Sequence, residues 1–131
     1  MPQRDVGLIL MRQLASGLAV PMLLSDENGD LLFFNEPAEV LLGQRFDDVG
    51  ELRLEERQAI FAFRDEHGTP LPADQAPLVV ALRERRPLNR RVWMRGFDGA
   101  EREIEVTAFP LLGGGGHLIG AVAMFWARKK S

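Results

Sequence analysis

Cysteine is absent from the 131-residue sequence. Its absence excludes disulfides, thiolate metal sites, cysteine nucleophiles and any photochemistry that runs through a cysteinyl adduct. Long apolar runs are also missing. The longest strongly apolar runs are Val6 to Met11 and Leu118 to Ala127, far short of the ~20 residues that a membrane helix needs. Met1 to Arg4 leads into an interrupted apolar stretch with no small-residue cleavage pattern, so no secretory signal is read there. These absences point to a cytoplasmic protein with no membrane partner.

What is present suits one soluble globular domain. Hydrophobic residues make up 46% and charged residues 27% of the chain, a balance unlike that of disordered or fibrous sequences. A domain of this length can bury roughly two-thirds of its unfolded surface and needs no covalent staples. The net charge is -3, but it is unevenly spread. Asp26 to Glu56 carries ten acidic residues against Arg45 and Arg53, whereas Arg83 to Arg95 carries six arginines against Glu84 alone. A nucleic-acid domain normally joins a basic overall balance to a recognisable motif, and neither is found. The arginine stretch therefore reads as a solvated helix end running into an edge strand.

Residues 6–16, VGLILMRQLAS, contain no proline and are apolar nearly all round. At helical spacing Val6, Ile9, Leu10 and Gln13 share one face, while Leu8, Met11 and Ala15 share another. Such a helix calls for burial on two sides, one against its own domain and one against a second copy. Gly17 suits a left-handed stop. Val20 to Ser25 and Asp30 to Phe34 read as a hairpin, with Asn28-Gly29 supplying positive φ angles at its turn. Asn35 is a natural N-cap for a helix over Glu36 to Leu42, and Gly43 a natural end. One or two helical turns are expected between Gln44 and Phe63. His67-Gly68-Thr69-Pro70 forms a turn, and Asp74 opens a helix with Leu78, Val79 and Leu82 inward. Leu88 to Gly96, Glu101 to Leu111 and Leu118 to Ala127 then read as strands, with Asp98-Gly99 a hairpin signal and Gly113 to Gly116 a loop.

The last strand and the PMLL of the first are apolar on both faces, so both belong in the middle of a sheet. The predicted fold class is therefore α+β: an antiparallel sheet of about five strands, short helices on one face, and the N-terminal helix available for the other.

This order resembles a PAS domain, the sensory module of many signalling proteins, over Ala19 to Trp126. MLLSDENGDLLFFNEPAEVLLG is similar to the family's strand, Asp-x-x-Gly turn, strand and Asn-Pro-Ala-Ala-Glu-like helix. FRDEHGTPLPADQAPLVVAL resembles its Asp-x-x-Gly-x-Pro stretch, and RRVWMRGFDGAEREIEVTAFPLLGGGGHLIGAVAMFW its closing three strands. The resemblance implies a sheet of order 2-1-5-4-3, in agreement with the two-sided apolar strands. It also implies an inner cavity that holds haem, flavin, a metabolite or only side chains, and an N-terminal helix that dimerises. The division implied is a flanking helix over 1–18, a PAS core over 19–127 and a basic tail over 128–131.

Strand parity then places Leu23, Leu32 and Phe34 at the cavity, with Ala38, Leu41 and Leu42 from the first helix after the hairpin and Val92, Met94, Ile104, Val106 and Ala108 completing the wall. Asn35 stands at the junction of hairpin and helix, either as a simple cap or as a tie that responds to ligand. A small, mostly apolar molecule would suit such a wall. No cofactor is predicted. Haem would need His67 or His117, both in turns, and the flavin photoadduct is excluded by the missing cysteine. No metal site or catalytic residue is predicted, the acidic pairs and the His67 turn being polar surface. Val6, Leu8, Ile9, Leu10 and Met11 of the helix, with Trp93 and Phe109 of the outer sheet face, are the candidate homodimer surface. Signalling relatives end their last strand in an Asp-Ile-Thr-like coupling motif, whereas this chain runs Phe125-Trp126-Ala127-Arg128. An effector is therefore expected on a longer chain or on a partner protein. Three functions stay open: a dimeric ligand sensor, a pure protein-interaction domain with a filled cavity, and a small enzyme using the cavity.

Overall fold

The computed structural model describes residues 6–128. Helix α1 (Val6–Ser16) precedes a hairpin of β1 (Met22–Asp26) and β2 (Leu31–Phe34). Three short helices come next, α2 (Glu36–Leu42), α3 (Phe46–Val49) and α4 (Leu54–Phe61), and then α5 (Pro77–Glu84). Strands β3 (Leu88–Arg95), β4 (Glu101–Leu112) and β5 (Leu118–Ala127) close the chain. The sheet is antiparallel in the order β2-β1-β5-β4-β3, as the two-sided apolar strands require. Of the expected basic tail only Arg128 falls within the described residues.

Three turns share one chemistry. Asp26, Asp65 and Asp98 each accept, through a side-chain oxygen, the backbone N–H two residues on, at 2.9, 2.9 and 3.0 Å. The next glycine takes positive φ in every case: Gly29, Gly68 and Gly99. At the first of these turns Asn28 keeps negative φ, so the Asn-Gly pair does not form the two-residue turn expected. Asp26 closes a wider loop instead, with its backbone N–H donating to the Asp30 carbonyl at 3.1 Å. At the second, the N–H of Thr69 and then that of His67 hold the Asp65 carboxyl below its ordinary 3.8. A depressed folded value makes this contribution complete above the ordinary one and lost as pH falls through the lower one. The Thr69 amide shift should therefore titrate with a midpoint under 3.8 in NMR. A midpoint at or above that value would contradict the turn geometry.

The ends of α1 and α5 are both set before the next helix breaker acts. Gly17 does not adopt positive φ; its N–H donates to Leu14 O at 3.0 Å and the chain continues in a turn. Helix α5 stops at Glu84 with Arg85 left-handed, before Pro87 is reached. Because α5 begins at Pro77, its inward residues are Leu78, Ala81 and, partly, Leu82, while Val79 is left off the core.

Candidate functional site

The sheet separates two apolar compartments. The inner one gathers Leu23, Phe34, Ala38, Leu42, Val92, Met94, Ile104, Val106 and Ala108, with Leu41 partly buried against them. All of these were assigned to the cavity wall from the sequence. Leu32 was assigned there too, and the structure corrects it: Leu32 packs in the outer compartment with Leu8, Ala15, Met22, Leu24 and Val122. A β-bulge is the cause. Leu24 pairs with Phe33 and Ser25 with Leu31, so Leu32 is an extra residue and the alternation shifts at that point. Leu31, not Leu32, shares the inner face with Phe34.

Rings from β2, from α3 and α4, and from the β3–β4 turn pack together in the inner compartment. Phe46 meets Phe34 edge-on at 5.2 Å, Phe34 stacks on Phe97 at 5.9 Å, and Phe97 meets Phe61 at 5.6 Å. Edge-on and offset pairs of this kind add ~0.5–1.5 kcal/mol each beyond their burial. A cavity of about 10 Å³ remains, lined by Leu23, Arg57, Phe63, Pro77, Leu78, Met94, Val106 and Ala123. Ligand pockets usually span ~300–1,000 Å³, so this arrangement leaves no room for a group the size of haem or flavin. His67 and His117 are both exposed.

Arg57 was not singled out from the sequence, because charged residues on a short helix normally face water. Here it is 1% exposed, and its Nε donates to Gly29 O at 2.7 Å. Burial lowers its pKa to about 10, against the opposing field of Asp30 and then Asp26. Helix α4 carries the side chain inward under the β1–β2 turn. The start of α4 is tied to that turn by Asp30 Oδ1, which accepts Leu54 N–H at 2.9 Å, while the Glu56 side chain closes the helix's own first turn by accepting Arg53 N–H at 2.9 Å.

Asn35 is buried at the meeting point of α1, β1 and α2. Oδ1 accepts the N–H of Met22 at 2.9 Å and of Ala38 at 3.2 Å, while Nδ2 donates to Ala15 O at 3.0 Å and Val20 O at 2.8 Å. It is therefore an N-cap that also links the inner helical layer to the outer helix.

Outside the sheet, α1 seats Leu8 and Ala15, with Met11 partly buried, on Met22, Leu24 and Val122. Leu8 is thus used within its own chain, which corrects its place in the candidate dimer surface. Arg12 lies over the rings of Phe33 and Phe46, 4.6 and 5.4 Å from their centroids. The opposite side of α1 stays open. Val6, Ile9, Leu10 and Leu14 are 68, 48, 58 and 55% exposed, and Leu14 extends the expected stripe by a turn. The aromatic patch divides in two. Phe109 packs in the outer compartment, whereas Trp93 lies six β4 positions away opposite Glu103, ~20 Å along the strand. Trp126, opposite Glu105 and 40% exposed, is an outer aromatic that the sequence reading missed.

The PAS fold family model matches residues 9–126. The solved structures show the same fold at low identity. The Rhodobacter sphaeroides LOV protein is 14% identical with a TM-score of 0.75, covering 97% of this chain and 70% of that one. The PAS domain of the fruit-fly ELK potassium channel is 13% identical, TM-score 0.71, covering 94% and 98%. The PAS domain of Bordetella pertussis BvgS is 18% identical, TM-score 0.64, covering 95% and 87%. Among the curated proteins there is no match.

Proposed function

Because the chain belongs to the PAS family of sensory and signalling modules, we propose that it works as a homodimeric regulatory module in the cytoplasm. The helix up to residue 18 couples two cores, each spanning 19–127. The observation that carries this reading is the stripe of Val6, Ile9, Leu10 and Leu14, four large apolar side chains open to solvent on a helix whose other side is already buried. An apolar stripe at i, i+4, i+8 spacing fits a second helix of the same kind. A signal would act by favouring one placement of the two subunits over another, and only by as much as it binds the two differently. The effector then lies on a longer chain or on a partner protein.

Light scattering of the wild type at high micromolar concentration should give twice the 14.7 kDa chain mass. The Leu10→Glu/Leu14→Glu variant should be monomeric and equally stable, since neither side chain enters the core. A monomeric wild type would sink the dimer reading.

A second reading is an interaction domain whose cavity is filled by its own side chains, and the ring packing around 10 Å³ of free space favours it. Native mass spectrometry separates the two, as a bound small molecule belongs only to the sensor. The enzyme reading has the least support, because the lining residues carry neither a base nor a nucleophile.

A further inference from the structure

Helix α1 is lightly held on the sheet. Of its 11 residues only Leu8 and Ala15 are buried, and the Ala15 end is tied down by the Asn35 amide. Between them one flank of the helix lies over a hollow of about 70 Å³, with Leu8, Ile9 and Arg12 on the helical side and Leu24, Leu32 and Glu51 completing it. Closely packed interiors hold few voids larger than a water molecule, so α1 can settle or lift along this flank without displacing a core side chain. Arg12 spans the same flank. Its guanidinium stands 4.6 Å from the Phe33 centroid and 5.4 Å from that of Phe46, two rings that meet edge-on at 5.2 Å. Phe46 is in turn the outermost of a series of rings that continues inward through Phe34, Phe97 and Phe61, and Phe33 packs against both compartments. Because β2 is an edge strand, the series leads round the margin of the sheet from the inner compartment to the outer helix. It ends on Arg12, which is the neighbour of Ile9 on the helix surface.

We propose that Arg12 is the positioning residue of the dimer helix: its guanidinium follows the Phe46 ring and so sets how α1, with its exposed stripe, sits on the sheet. A change among the inner rings moves Phe46 and reseats the helix. Without the guanidinium, the inner compartment and the helix become independent. Asn35 also joins the two layers, but its four hydrogen bonds hold backbone groups at fixed distances, which makes it an anchor. A cation over ring faces has no single directional bond and keeps its attraction as the rings shift. Coupling of this kind runs through packed side chains that have two arrangements, and the hollow beside Arg12 provides the room for the second. This deepens the dimer reading by naming how its helix is regulated, and it rests on that reading for its biological meaning.

The test is a double-mutant cycle in the Leu10→Glu/Leu14→Glu chain, read by hydrogen exchange of the α1 amides, with urea unfolding to follow global stability. Arg12→Met keeps the stem and removes the charge, and Phe46→Leu keeps an apolar side chain and removes the ring. Each should raise the opening constant of α1 about two- to fivefold, the worth of one exposed cation–π contact, and the two together should do no more than either alone. Arg12→Lys, which keeps a cation, should restore most of the protection. Phe97→Leu, two ring contacts from Phe46, should shift the α1 amides when Arg12 is present and leave them in place in Arg12→Met. The δ-protons of Arg12 should resonate upfield of their ordinary position, under the ring currents of Phe33 and Phe46. Should Phe46→Leu fail to fold, the Phe97→Leu comparison and the δ-proton shift still decide. Additive effects of Arg12→Met and Phe46→Leu, α1 shifts from Phe97→Leu that persist without Arg12, or δ-protons at their ordinary position would each overturn the proposal. Light scattering of the wild type reads the dimer separately, so the loss of this coupling is distinguishable from the loss of the dimeric module.

Discussion

Asn35→Ala is expected to lower the unfolding free energy by about 3–5 kcal/mol, well beyond the ~1 kcal/mol of an ordinary cap. The side chain makes four hydrogen bonds, two as acceptor and two as donor, and alanine makes none of them. Ala38 N–H loses its cap. Ala38, Met22 and Ala15 are all buried, so water cannot replace the amide at Ala38 N–H, Met22 N–H or Ala15 O. Each such orphan costs ~1–3 kcal/mol. Asn35→Asp keeps the two acceptor contacts but turns a carboxylate toward the Ala15 and Val20 carbonyls, so it should rescue little. Urea unfolding of the three proteins measures the difference. A loss near 1 kcal/mol for the alanine variant would reduce Asn35 to a cap alone.

The second large effect reverses the usual sign of a glycine substitution. In an extended strand, replacing glycine by alanine ordinarily stabilises by ~0.4–1 kcal/mol, through the unfolded chain. Gly120 lies in β5 opposite Asp26 and Leu111. A Cβ there would run into the carbonyl oxygen of Ser25 and stand 3.0 Å from Leu8 Cδ2. The first obstacle is backbone in the adjoining central strand and cannot rotate away. Gly120→Ala should therefore destabilise by about 3 kcal/mol, at the upper end for overpacking. It should also loosen α1, since Leu8 is the residue that seats over this position. Hydrogen exchange should show α1 amides exchanging faster than in the wild type, alongside a lowered urea midpoint. Wild-type stability would mean that β1 can move aside, contrary to its pairing on both edges.

The fold was legible in the sequence because its signals were local and mutually consistent. Apolar residues on both faces of β1 and β5 placed them centrally, Asn35 and Gly43 bounded α2, and the clean alternation of Ile104, Val106 and Ala108 set the inner face of β4. The cavity wall was traced by parity until a bulge interrupted it. A bulge is set by pairing with a distant strand and leaves no mark in the run Leu31-Leu32-Phe33-Phe34, so Leu32 was placed on the wrong face. The inward turn of Arg57 was hidden for a related reason. Helix α4 has no apolar face from which to infer its orientation, and contacts distant in sequence aim it: Asp30 at its first turn and Arg95 on the carbonyls of Ala59 and Ile60. Phe46 and Phe61 stand at the ends of helices too short to show a period and Phe97 in the β3–β4 turn, so their joint filling of the interior was not foreseeable. Leu14 was missed at the end of a helix whose exposed stripe was otherwise identified.

One pairing in the sheet has a geometric consequence for longer chains. Met22 stands opposite Met124, and Phe125 N–H donates to Pro21 O at 3.0 Å, so the path into β1 and the path out of β5 meet at one corner, ~5 Å apart. A unit whose entry and exit coincide can be spliced into a polypeptide while hardly changing the spacing of the segments on either side. It can also act as a pivot. A swing of α1 about this corner would barely move the end of β5 at Ala127, yet would displace any segment carried at the far end of α1 by an amount that grows with its distance from the hinge.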